Sequence, residues 1–182
     1  MARTGSSGEN NEILSWIPDF NTGIEVIDLQ HRQLVVLLNL LINHVAAEAD
    51  LPQINVIFEA LTDYAAIHFS TEERIWHRHF AGDAWESAHQ AEHSCFVEKV
   101  GALMAEQGSR PPQKIQEEIA AFLTRWLTWH IVESDKRMAK AVLALSPDVS
   151  LERAKEIATE QMSGAAQAMA DKITMQYGLP GV

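Results

Sequence analysis

The sequence contains a single cysteine, Cys95, in 182 residues. No disulfide can form within the chain, and a reducing compartment, the cytoplasm, is the expected setting. Long apolar runs are missing too. The longest, from Leu34 to Ile42, is interrupted by Asn39 and falls well short of the roughly 20 residues that span a bilayer, so no membrane segment is expected. Positive charge is scarce, with 14 Lys+Arg against 25 Asp+Glu and a formal charge of -11. No basic stripe offsets it, and such a chain repels phosphate backbones, which excludes nucleic acid as an expected partner. The first dozen residues, MARTGSSGENNE, lack the apolar centre of a signal peptide and read as a polar tail.

What the chain does have is helical periodicity. With 47% hydrophobic residues it is long enough for one domain with a substantial core, and short for two. Glycine and proline mark joints at Pro18, Gly23, Pro52, Gly82, Gly108, Pro111, Pro112, Pro147 and Gly178. Between them run four apolar stripes, which include Leu34, Leu38, Leu41 and Val45; Ile54, Ile57, Leu61 and Tyr64; Phe96, Val100 and Leu103; and Ile115, Ile119, Phe122 and Trp126. No β-type alternation competes with them. The spacing predicts helices near 24–49, 53–80, 83–107 and 112–144. Short connections favour antiparallel neighbours, so the expected fold is all-α, an up-down four-helix bundle. A further C-terminal helix, near 150–176, starts at Ser150 as N-cap and carries the face Ala158, Met162, Ala165, Met169, Ile173 and Gln176.

Extending each stripe leads to histidine. Ile57, Leu61 and Tyr64 step on to His68 and Glu72, and His89 and His93 run into Phe96. Trp126 precedes His130 by one turn, and His31 precedes Leu34 and Leu38. A lone histidine on an apolar face is usually a hydrogen-bonded core residue. Histidines pointing inward from all four helices, with carboxylates among them, are costly to bury without a partner that satisfies them. A metal is that partner. His44, His77 and His79 fall off the stripes or near a helix end and read as surface residues, as does Glu73, about 100° around the helix from Glu72.

Asp135 lies five residues after His130, a step that swings an ideal helix about 140° away. The later apolar residues Met138, Val142 and Leu145 are nevertheless in phase with Asp135. One extra residue inserted between the two, as in a single-turn π-bulge, accounts for the slip, and such bulges are frequent at functional sites.

The donor set constrains the metal. Five imidazoles are too many for one structural zinc, and no thiolate set exists. Magnesium and calcium prefer oxygen shells. Imidazole with carboxylate suits iron, manganese or zinc in a two-metal site, and the arithmetic favours iron. If Glu72, Asp135 and a solvent-derived oxygen all bridge, three histidines complete one octahedron and two histidines leave the other metal a ligand short, which is what dioxygen binding requires.

These stretches, TGIEVIDLQH (22–31), HFSTEE (68–73), HQAEH (89–93) and WLTWHIVESD (126–135), resemble those of bacterial hemerythrins, over roughly Trp16 to Leu145. The resemblance implies two iron ions, one held by His89, His93 and His130 and the other by His31 and His68. Glu72, Asp135 and an oxo or hydroxo group would bridge them, with dioxygen as the ligand. It also implies that Trp126 is a wall of the dioxygen pocket. The expected organisation is a polar tail (1–15), a di-iron bundle (16–145) and a helical extension (146–182). The extension resembles the segment through which hemerythrin domains join diguanylate cyclases or other signalling modules.

Three functions are compatible with this reading. The first is an oxygen or redox sensor acting on a C-terminal signalling module or a homodimer partner, and the second a stand-alone dioxygen carrier or store. The third is a di-iron oxidase or peroxidase, least favoured because such enzymes usually pair two E-x-x-H motifs, whereas this chain offers only Glu86 to His89 on a bundle helix. The expected protein is therefore a binder, not an enzyme.

Overall fold

The computed structural model of the chain describes residues 14–162. Its helices are α1 (Glu25–Ala46), α2 (Leu51–Phe80), α3 (Ala84–Ala105), α4 (Pro112–Trp129), α5 (Lys136–Ala144) and α6 (Leu151–Met162), and a π-helical stretch, His130–Asp135, makes α4 and α5 one continuous rod. Among the described residues there is no strand. The expected helix near 150–176 is present as α6, and its continuation beyond residue 162, with Ala165, Met169, Ile173 and Gln176, lies outside the described residues.

Local chemistry sets the helix starts. Before α1, the Asp28 carboxylate accepts hydrogen bonds from Thr22 N (2.7 Å), Thr22 Oγ1 (2.7 Å) and Gly23 N (3.2 Å). Gly23 has φ +90°, and a Cβ there would stand 3.1 Å from Leu143 Cδ1. Asp50 caps α2 by accepting from Gln53 N, and Asp83 caps α3 by accepting from Trp85 N, each satisfying one of the free amides of a first helical turn. Leu14, in the stretch read as a polar tail, is buried and exchanges backbone hydrogen bonds with the Asn39 side chain.

The rods pack in a ring, α1 against α2 and α4, α2 against α3, and α3 against α4, while α6 lies along α5. Connections of a few residues make successive rods antiparallel. The interior holds two apolar clusters. The larger contains Leu34, Leu38, Leu61, Phe69, Phe96, Ile119, Leu123 and Leu127. The smaller contains Ile27, Trp76, Phe80, Met138, Ala139, Ala141 and Ala158. Every rod places polar side chains between the two: His31 between Ile27 and Leu34, His68 and Glu72 before Trp76, His89 and His93 before Phe96, and His130 and Asp135 between Leu127 and Met138. On α4 the buried stripe is Ile115, Ile119, Leu123 and Leu127, with Phe122 and Trp126 half-buried at its edge. No helix among the described residues is long and apolar enough to cross a membrane.

Candidate metal centre

The polar layer is where seven side chains converge. His31, His68, Glu72, His89, His93, His130 and Asp135 are each at most 3% exposed, so bulk solvent does not reach them. The π-helical stretch is what admits the last two together. It covers His130–Asp135, where the phase slip is expected, and its extra residue brings both side chains inward, so that His130 Nε2 lies 3.0 Å from Asp135 Oδ1.

The donors fall into two groups that share Glu72. His89, His93, His130 and Glu72 form one, and His31, His68, Glu72 and Asp135 the other, with the ligand atoms of each group all within 4.8 Å of one another. Glu72 Oε2 stands 3.4 Å from both His68 Nε2 and His93 Nε2. Asp135 also faces both groups, with Oδ2 3.1 Å from His31 Nε2 and Oδ1 2.9 Å from His89 Nε2. Two carboxylates therefore stand between two sets of imidazoles.

Protonation suits cation binding. Burial first, then the neighbouring His89 and His130, pushes the His93 imidazole down to about 2. Burial and the nearby His31 hold His68 well below its ordinary value. Burial, reinforced by Asp135, raises Glu72 well above the usual carboxylate range. Burial alone would raise Asp135 as well, but His130 and the other imidazoles beside it hold it well below that range. His68 and His93 are thus held in the neutral form, the form that ligates.

Whether these residues fit a metal is answered by their unsatisfied atoms. Nδ1 and Nε2 of His31, Nε2 of His68, both Glu72 oxygens, Nδ1 of His89 and Oδ2 of Asp135 are buried without a hydrogen-bond partner among the described residues. An orphaned buried polar group costs about 1–3 kcal/mol, and native proteins show only a few per hundred residues. Here they crowd one layer, and five of the seven face the centre, where cations between the two donor groups would satisfy them. The mixture of imidazole and carboxylate, with no thiolate, fits a pair of iron ions.

Several residues around the centre are absent from the expected set. Glu73, read as a surface residue, is only 41% exposed at its side chain and accepts from His93 Nδ1 at 3.0 Å. Neighbouring helices stand close enough for a side chain aimed sideways to reach the next rod. Glu92 accepts from His130 Nδ1 at 3.0 Å, and Gln30 Oε1 lies 3.2 Å from His68 Nδ1. Burial alone would raise Glu92, but hydrogen bonds from His130 and Ser134 hold it below its ordinary value. The only signal these three carry in the sequence is adjacency to a residue of the centre. Phe69 stacks on His93 with centroids 3.9 Å apart, and Trp126 on His130 at 4.2 Å. Both line a small apolar cavity of about 10 Å³, with Leu34, Leu38, Leu61 and Phe96 among its other walls. The remaining histidines stay outside the centre: His44 donates to its own Leu40 carbonyl, His77 meets Glu86 at 2.7 Å, and His79 is exposed.

Comparison with known proteins bears on this geometry. A family model described as Hemerythrin HHE cation binding domain matches residues 22–142. A bacteriohemerythrin of Pseudomonas paraeruginosa is 34% identical over 130 residues, covering 71% of this chain and 81% of its own length. One of Stenotrophomonas maltophilia is 33% identical over 135 residues, 72% of this chain and 83% of its own length. One of Clostridium acetobutylicum is 30% identical over 127 residues, 66% of this chain and 95% of its own length. No solved structure gives a significant match.

Proposed function

The chain belongs to the hemerythrin family, and from that premise we propose that it binds dioxygen reversibly at a non-haem di-iron centre and acts as an oxygen or redox sensor. His89, His93 and His130 would hold one iron, His31 and His68 the other, and Glu72 and Asp135 both. When bound, the iron pair supplies reversible electron transfer to dioxygen. The observation that carries the reading is the crowding of unsatisfied donor atoms in a layer that all four rods supply.

The protein's own residues prepare that layer. His68 and His93, held neutral by burial, face inward, and the apolar clusters on either side exclude water. Trp126 and Phe69, stacked on two of the histidines, wall the apolar cavity beside the centre and make it a fitting approach for a small apolar gas. Glu86, the one acid with E-x-x-H spacing to a histidine of the centre, has its carboxylate engaged by His77 and by the Gly82 amide. No second acid prepares the centre for oxidase chemistry, which favours a binding role.

Support for sensing comes from α6, which lies beyond the residues the family model matches. Ala154, Ala158 and Met162 are buried. Lys155 donates to Asp83, the N-cap of the helix bearing His89 and His93, at 2.8 Å. Lys155 and Arg137 also stand over the Trp85 ring, 5.4 and 5.1 Å from its centroid. Arg137 follows Asp135 by two residues, so α6 grips two ligand-bearing elements at once. A difference in docking free energy between states of the centre would then shift the α6 population.

Metal analysis and absorption spectra of the purified chain, before and after reduction and air exposure, test the dioxygen reading. Two irons per chain and a reversible spectral change are expected; one zinc, or no iron, would overturn it. Hydrogen exchange over residues 151–162 tests sensing. Protection that differs between reduced and oxidised protein supports it, and identical protection favours a carrier or store.

A further inference from the structure

The outer nitrogens of the histidines carry a pattern that dioxygen binding does not by itself require. Gln30, Glu73 and Glu92 each adjoin a residue of the centre in sequence, namely His31, Glu72 and His93. Each nevertheless serves a histidine on the next rod around the bundle: Gln30 of α1 serves His68, Glu73 of α2 serves His93, and Glu92 of α3 serves His130. Ionised carboxylates only accept, so Nδ1–H of His93 and of His130 donates and each Nε2 is the nitrogen that faces inward, where it would offer its lone pair to a cation. The Gln30 amide is oriented by a chain of its own. Thr71 Oγ1 donates to the Ile67 carbonyl at 2.9 Å and accepts from Gln30 Nε2 at 3.1 Å, which leaves Gln30 Oε1 to face His68. Nδ1 of His31 and Nδ1 of His89 have no partner among the described residues.

The charge in this ring is uneven. Both carboxylates serve the group of His89, His93 and His130, whereas the group of His31 and His68 receives one neutral amide. A carboxylate that accepts from an imidazole raises the basicity of the opposite nitrogen, and its negative charge stabilises an oxidised cation more than a reduced one. We infer that Glu73 and Glu92 are positioning residues that make the three-histidine half of the centre its electron-rich half, so that the iron held there is the more readily oxidised of the two. The inference rests on the di-iron reading above. Glu92 is 22% exposed at its side chain and Glu73 41%, so solvent screens Glu92 less and its effect is the larger.

The test is the midpoint potential of the iron-loaded full chain, measured spectroelectrochemically, with iron stoichiometry determined alongside. E92Q and E73Q keep an acceptor oxygen and remove the charge, so a purely structural role would leave the potential in place. Both are expected to raise it. For E92Q the oxidised-to-reduced ratio at fixed applied potential should fall roughly tenfold, about 59 mV for one electron. Q30E places a charge on the other half and should lower the potential. Two irons retained with unchanged potentials in all three variants overturn the inference and leave the di-iron reading intact, whereas a wild-type chain that takes up no iron overturns both. If E92Q and E73Q lose iron, Q30E decides: a lowered potential supports the inference, and an unchanged or raised one overturns it.

Discussion

Two histidines of the centre, His68 and His93, are buried bases whose protonation couples the site to folding. His68 and His93 are held below their ordinary value of 6.5, so as pH falls through that value the unfolded metal-free chain takes up protons that the folded chain refuses. Stability is then lost with falling pH. Glu72, raised above its ordinary 4.5, acts in the opposite sense, keeping in the folded state a proton that the unfolded chain releases. Asp135, held below its ordinary 3.8, matters only in stronger acid. From about pH 6.5 to 4.5 two histidines oppose one carboxyl, so the metal-free chain should lose stability as pH falls. Cations held at Glu72 would displace its proton, and a loaded chain should then show a steeper slope. Thermal melts of both forms across that window check this, and a flat metal-free profile would contradict neutral imidazoles. His130→Ala removes a donor from the three-histidine group and takes one of its two hydrogen-bond partners from Glu92. Iron content should fall below one per chain, with metal affinity reduced by at least about 10-fold. These donors were legible in the sequence because histidine on an apolar stripe is conspicuous. Gln30, Glu73 and Glu92 were not, because polar residues beside a ligand are ordinary and their partners lie on other helices.

The decisive element is the π-helical stretch. Its presence was legible because Met138 and Val142 stand in phase with Asp135 and out of phase with His130, a slip only an inserted residue explains. Deleting Glu133, half-buried within it, should restore an α-helical register and turn α5 by about 100° relative to α4. Either Asp135 and Met138 then turn away together or His130 does, and loss of Met138 from the core alone costs about 2–5 kcal/mol. Iron stoichiometry and the urea midpoint should both fall; a deletion variant with two irons and an unchanged midpoint would show that the extra residue is dispensable. Helix starts were less legible. The cap before α1 depends on Asp28 folding back onto Thr22 and Gly23, inside the helix it serves. Gly23→Ala meets both the positive φ and Leu143, and should destabilise by about 1–3 kcal/mol in the same urea titration.

At the scale of the whole molecule the bundle is two apolar clusters with a polar layer between, and the fold class follows from helical stripes that each break at histidine. The sequence did not reveal what α6 packs against. Its apolar face is plain in the spacing of Ala158 and Met162, but Lys155 reaching Asp83, 72 residues away, is a tertiary match with no local signature. Lys155→Met keeps the stem over Trp85 and removes the charge. It should raise hydrogen exchange in 151–162 several-fold while leaving iron content at two; unchanged exchange would show that apolar packing alone holds α6. The polar layer has one more consequence, for how fast the protein comes apart. His31 and Asp135 meet at 3.1 Å from positions far apart in the chain, and a cation held by both would close a loop of about 100 residues, a length for which chain-entropy estimates of a covalent cross-link give about 4.7 kcal/mol. A chain with a single cysteine thus has access to a staple that needs no oxidising compartment. Its lifetime would be the residence time of iron, so a chelator should do to this protein what a thiol reductant does to a secreted one.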